Sequence, residues 1–227
     1  MDIYENIIIG NFLVGLGHQI GRINSNLPFN VNLLQQTPLD KSIGDVLMER
    51  ADFIKIIEFK RQVNTNKKEQ TKHTILSRAL NDHKLHDVSR EIHWLVSHQN
   101  TEKELVVKSA PYLDFNTGLE TYSLTELIKD TADELTGKNV PKHKAADYES
   151  YIKLLQTLNG RNSDSSGAII LCSSSEGGLN YMPVNSLENL RFSLNQIDHL
   201  FKNNHEKKLQ QEKKRSYQKE RSYGRSL

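Results

Sequence analysis

Asp45, Glu58 and Lys60 fall within GDVLMERADFIKIIEFKRQ, residues 44–62, a stretch that is otherwise among the most apolar of the chain. Unpaired charge in a protein interior is costly, so charges placed in such a run need a partner or a task. Two neighbouring carboxylates can share one divalent cation. Mg2+ takes oxygen ligands and usually only one or two carboxylates, leaving its other positions to water and phosphate oxygens. A Lys beside such a pair can balance the carboxylates or steady the attacking water. Together these residue types suit metal-assisted hydrolysis of a phosphodiester.

The elements that must bring them together can be read from the same stretch. Phe53-Ile54-Lys55-Ile56-Ile57-Glu58-Phe59 is rich in β-branched and aromatic residues, the composition of a buried strand, and GDVLMER before it makes the other arm of a hairpin. A turn around Arg50-Ala51, or one pair wider around Glu49 to Asp52, makes partner numbers sum to 101. Met48 then faces Phe53 and Asp45 faces Ile56. Residues two apart on a strand, and residues directly paired, share a face. Asp45, Ile56, Glu58 and Lys60 therefore lie on one side, with Asp45 and Glu58 diagonal neighbours roughly 7–8 Å apart. An odd-length turn would send Asp45 to the other face.

Asp45, twelve intervening residues and then Glu58-Phe59-Lys60 resembles the PD-(D/E)xK motif of the restriction-endonuclease-like nucleases. The first position of that motif is often Pro and here is Gly44. Members commonly add a Glu from the first helix, and Glu5 in YENIIIGNFLVGLG occupies the matching place. The resemblance covers roughly residues 1–115. It implies an α/β fold with a central mixed sheet flanked by helices, Mg2+ (or Mn2+) as cofactor, and nucleic acid as partner, DNA ahead of RNA. It also implies the usual settings of such small nucleases, host defence, repair or mobile elements. On this reading Asp45 and Glu58 hold the metal with help from Glu5, and Lys60 orients or activates water. Gln62, of the same parity as Lys60, extends the site toward a water or phosphate.

Composition sets the outer bounds. Apolar residues make up 36% of the 227 and mean hydropathy is −0.62, below the roughly 45–50% of an average domain, so part of the chain is expected to lie outside the core. Nine of the 30 basic residues but only three of the 28 acidic ones fall in 202–227, so a basic tail follows a net acidic body. That tail is read as flexible, either a solvated helix end or an arm for nucleic acid. Cys172 is the single cysteine, which rules out an internal disulfide or thiolate zinc cluster and fits a reducing, cytoplasmic setting. The longest apolar span, Ile7 to Leu16, is too short to cross a membrane.

Along the rest of the chain, Ile8, Phe12 and Leu16 with Ile9, Leu13 and Ile20 predict an amphipathic first helix over 3–20, closely packed or ending early near Gly15. FNVNLLQQ is a strand or connector. The segment from Lys72 to about Asn100 is helical in composition, and ELVVKSAPYLDF, with Pro111 at an edge or bend, is a strand. Helices near 124–137 and 147–160 end on Gly137 and Gly160; GAIILCSSS is a buried strand; a final helix starts at Ser186. The expected domain spans 1–201, with the motif-bearing core in 1–115 and a C-terminal helical elaboration in 116–201.

Other groupings carry less. His83, His86 and His93 have a ligand-like spacing, but histidines on a solvated helix account for them. Trp94 reads as core. SSSEGG, residues 173–178, lacks the GK[ST] of a phosphate loop. Lys67 and Lys68 follow the motif strand in a polar loop where phosphate contact and plain solvation are equally served. Two rival functions stay open: a surface ion pair between Glu58 and Lys60 in a non-catalytic interaction protein, working with a protein partner or a second copy of the chain, and a nucleic-acid-binding module acting through its tail.

Overall fold

The computed structural model describes residues 3–23, 29–35, 44–50, 52–61, 67–100, 105–115, 121–158, 168–173 and 179–184, all within one compact unit, Met1–Leu187. In chain order its elements are α1 Glu5–Gly21, β1 Phe29–Leu33, β2 Val46–Arg50, β3 Phe53–Arg61, α2 Lys67–His83, α3 His86–Ile92, β4 His93–Asn100, β5 Leu105–Pro111, β6 Tyr122–Ser123, α4 Leu124–Leu135, α5 Ala145–Leu158, β7 Ala168–Ser173 and β8 Leu179–Val184. The protein is an α/β domain with one mixed sheet, ordered β6-β5-β4-β3-β2-β1-β7-β8. Among the described residues only β3 and β4 run parallel. A parallel neighbour needs a crossover, supplied here by α2 and α3. Among the described residues no helix is long and apolar enough to cross a membrane.

Strand parity sorts the two faces of the sheet. Ile57 and Phe59 of β3 point to α1 and α4, joining Ile8, Ile9, Phe12, Leu16, Leu127 and Leu135 in the core. Phe12 and Phe59 meet edge to face at 5.6 Å. Gly15 faces α4 at close range: a Cβ there would lie 2.8 Å from Ile128 Cδ1. Close packing, rather than an early helix end, thus accounts for the glycine. The even-numbered residues Ile56, Glu58 and Lys60 face the other side, which they share with His93, Leu95 and Ser97, their partners on β4.

Several expectations change. The segment from Lys72 to Asn100 is not one helix. Lys84 adopts φ 55° after α2, and HWLVSHQN, whose Trp, Leu, Val and His alternate in the way of a strand, becomes β4 in the centre of the sheet. The hairpin strands pair Arg50↔Phe53, Met48↔Lys55 and Val46↔Ile57, partner numbers that sum to 103 instead of 101. After residue 115 the strand expected in GAIILCSSS is present as β7, which pairs with β1, while β6 at one side of the sheet and β8 beyond β7 are strands not expected within the helical elaboration. The helix expected from Ser186, the Gly160 helix end and the basic tail lie outside the described residues.

Candidate active site

Asp45 stands just before β2 and is fastened by backbone on two sides. Its N–H donates to the Ile57 carbonyl (3.2 Å) and its carbonyl accepts from Leu34 N (2.7 Å). The regular ladder with β3 begins at Val46↔Ile57; Asp45, one residue before it, departs from that ladder, its N–H turned to β3 and its carbonyl to the side of β1. Asp45 Oδ2 accepts from the Phe59 N–H at 2.6 Å, so one carboxylate oxygen is locked to the strand that carries Glu58 and Lys60.

Gly44 explains its own identity. Its φ of +153° is one that residues with a Cβ rarely adopt, and a Cβ would stand 2.8 Å from Ile56 Cγ2 and 3.3 Å from Glu58 Cγ. A Pro, the residue that the resemblance leads one to expect here, has its φ fixed near −65° and could not take this conformation. Gly44→Ala is expected to destabilise the fold by about 2–3 kcal/mol through strain and overpacking, measured as a lower urea midpoint at unchanged slope.

Glu58 sits between His93 and Lys60. Its Oε1 faces His93 Nε2 at 3.5 Å and its Oε2 faces Lys60 Nζ at 3.6 Å, with side-chain exposures of 2% for His93 and 35% for Lys60. Oε1 is thus on the buried side and Oε2 on the open side. Burial pushes the carboxyl up, but the imidazole of His93 and the charges of Lys60 and Lys72 outweigh it and bring it down to about 2. Lys72, exposed on α2, lies on the rim of the site.

His93 is the residue that the sequence reading missed. It is not on a solvated helix but buried at the start of β4. Its Nδ1 meets Tyr151 Oη at 2.7 Å, Ser89 Oγ donates to the same hydroxyl at 3.0 Å, and Tyr112 stacks on the ring at 4.4 Å and 5°. Placing His93 on a strand would have put it beside Ile56 on the Glu58 face. His83, exposed at the end of α2, is the solvated histidine expected, while His86 is half-buried.

Glu5 is the first residue of α1 and half-buried. His98 Nε2 donates to the Ile3 carbonyl at 3.0 Å, and His98 pairs with Arg61. The start of α1 is therefore at the end of β3 that carries Lys60, but α1 covers the Phe59 face. An approach of Glu5 to Asp45 and Glu58 passes around that end of the strand. Gln62 and residues 174–178 of SSSEGG lie outside the described residues, and Lys67 and Lys68 open α2 instead of lying in a loop.

No protein-family model, curated protein or solved structure matches this chain. What the arrangement can do rests on its own geometry. Among the described residues no group of three His, Cys, Asp or Glu side chains is placed to hold a metal ion. Mg2+ needs fewer, since one or two carboxylates suffice with water and phosphate oxygens. Asp45 and a Glu58 kept ionised to about pH 2 are a donor set that fits it.

Proposed function

We propose that this protein is a metal-dependent nuclease with a restriction-endonuclease-like core, hydrolysing phosphodiester bonds in nucleic acid, DNA ahead of RNA. The observation that carries the reading is Asp45, bonded to the Phe59 N–H and so fixed beside the two residues, Glu58 and Lys60, that flank Phe59 on one face of the sheet. In this reading Asp45 and Glu58 hold Mg2+, with Glu5 as a third carboxylate. When bound, the ion supplies positive charge to the phosphoryl oxygens and makes water more acidic. Lys60, partly exposed beside Glu58 Oε2, orients the attacking water and offsets charge developing at phosphorus. Lys72 adds positive charge at the rim, where a phosphate backbone would pass.

The test is cleavage of single- and double-stranded DNA and RNA by the full chain with Mg2+, Mn2+ or EDTA. Cutting is expected only with metal, and Lys60→Ala is expected to slow it about a hundredfold or more. Cutting that ignores EDTA or Lys60→Ala would refute the assignment.

A second reading has support in the charge balance. Each Glu58 oxygen already faces a side-chain nitrogen, of His93 or Lys60, an arrangement that also suits a non-catalytic interaction protein. That reading gains if the wild-type chain cuts nothing and Mg2+ leaves its melting temperature unchanged.

A further inference from the structure

Glu58 is backed by a chain of polar groups that the mechanism above does not use. Ser89 Oγ donates to Tyr151 Oη, and Tyr151 Oη lies 2.7 Å from His93 Nδ1. Ser89, Tyr151 and His93 are all buried. With Ser89 supplying one hydrogen to the Tyr151 oxygen, the hydrogen of Tyr151 is available for Nδ1. An imidazole that accepts at Nδ1 carries its hydrogen on Nε2, and Nε2 faces Glu58 Oε1. The flat stack on Tyr112 holds the ring plane.

At 3.5 Å this last contact exceeds the roughly 2.7–3.2 Å of an N–H···O bond, and Nε2 is buried without a hydrogen-bond partner. A buried donor left in this way is unfavourable. Hydrogen bonds in catalytic sites are often long before the ligands arrive and shorten once they bind.

We propose that His93 is a positioning residue for Glu58, donating its Nε2–H to Oε1 and so reserving Oε2, the oxygen on the Lys60 side, for the ligand of the site. The use of Oε2 rests on the nuclease reading; the placement of the ring hydrogen does not. Partners behind a first ligand typically set its orientation, and their loss weakens metal binding about 10–100-fold.

Two measurements on the full chain test this. In EDTA, with 15N-labelled histidine and the His93 signals assigned by their loss in His93→Gln, nitrogen correlation spectra are expected to show hydrogen on Nε2 and a bare, hydrogen-bonded Nδ1. Tyr151→Phe is expected to mix the tautomers. A hydrogen on Nδ1 with Nε2 bare would overturn the proposal, since a lone pair would then face Glu58.

The second measurement is the affinity for Mg2+ alone, read from its effect on melting temperature without nucleic acid. His93→Leu is expected to weaken it about tenfold or more, and His93→Gln, whose amide can donate from nearly the same place, to recover much of the loss. Tyr151→Phe carries the same test if His93→Leu does not fold. A merely structural role predicts less stable variants with unchanged Mg2+ affinity, and that result would also overturn the proposal. If the wild type shows no response to Mg2+, the nuclease reading is what fails, and the spectra alone decide whether His93 donates to Glu58.

Discussion

Glu58→Gln is expected to abolish metal-dependent cleavage and, in the same protein, to remove a large part of its sensitivity to acid. The two effects have one origin. Glu58 is a carboxylate drawn down to about 2 from an ordinary value of 4.5. A depressed folded-state value stabilises the fold at every pH above the unfolded one, and that contribution is lost as pH falls from about 4.5 to 2. At about 1.4 kcal/mol per pH unit it amounts to about 3 kcal/mol. Urea unfolding in EDTA at a series of pH values should therefore show wild type and Glu58→Gln well separated at pH 7 and converging toward pH 2. A constant gap would mean that the Glu58 charge does not engage His93 and Lys60 as the distances indicate. Loss of cleavage alone could follow from misfolding. Loss together with this pH signature, in a variant that still unfolds cooperatively, locates it in the charge.

Lys55→Met is expected to lower stability by about 3–5 kcal/mol, and adding Glu134→Leu to recover most of it. Lys55 is only 1% exposed, in the middle of the sheet. Its ammonium pairs with Glu134 of α4 and lies 5.2 Å from the Trp94 ring centroid, a distance at which the aromatic face adds attraction. Removing one member strands the other, whereas replacing both with apolar groups of similar volume is often neutral. Burial already pushes the Glu134 carboxyl up against the pull of Lys55. Urea midpoints of the two single variants and the double variant check this. A double variant as weak as Lys55→Met would show that the pair is not the source of the loss.

These two charges also show how far the amino-acid order could be read. Parity places Ile56, Glu58 and Lys60 on one face of β3 whichever way the hairpin is registered, and partner numbers that sum to 103 instead of 101 leave that unchanged. Where Asp45 comes to lie depends on the end of the ladder, at which its N–H turns to the Ile57 carbonyl, and no local signal in the amino-acid order announces that irregularity. Lys55 was passed over because its partner, Glu134, is distant in sequence and carries no local signal. His93 was misassigned for a different reason: SREIHWLVSHQN begins inside α3 and changes to β4 without a Gly or Pro between them, so helical composition masked the change to a strand. Gly15 announced that something close could lie next to it, but naming Ile128 as the neighbour required the fold, and so did the crowding of Gly44 by Ile56 and Glu58.

The pairing of β1 with β7 has a consequence for how the chain is made. Val31 lies beside Leu171, so the strand next to the motif hairpin waits for a neighbour synthesised much later. During that interval β1 presents a row of unpaired backbone N–H and C=O groups, a template for strands of other chains. The candidate site residues are therefore made well before the strand that shields the sheet beside them, and adding β7 closes an edge on which a half-made molecule would aggregate.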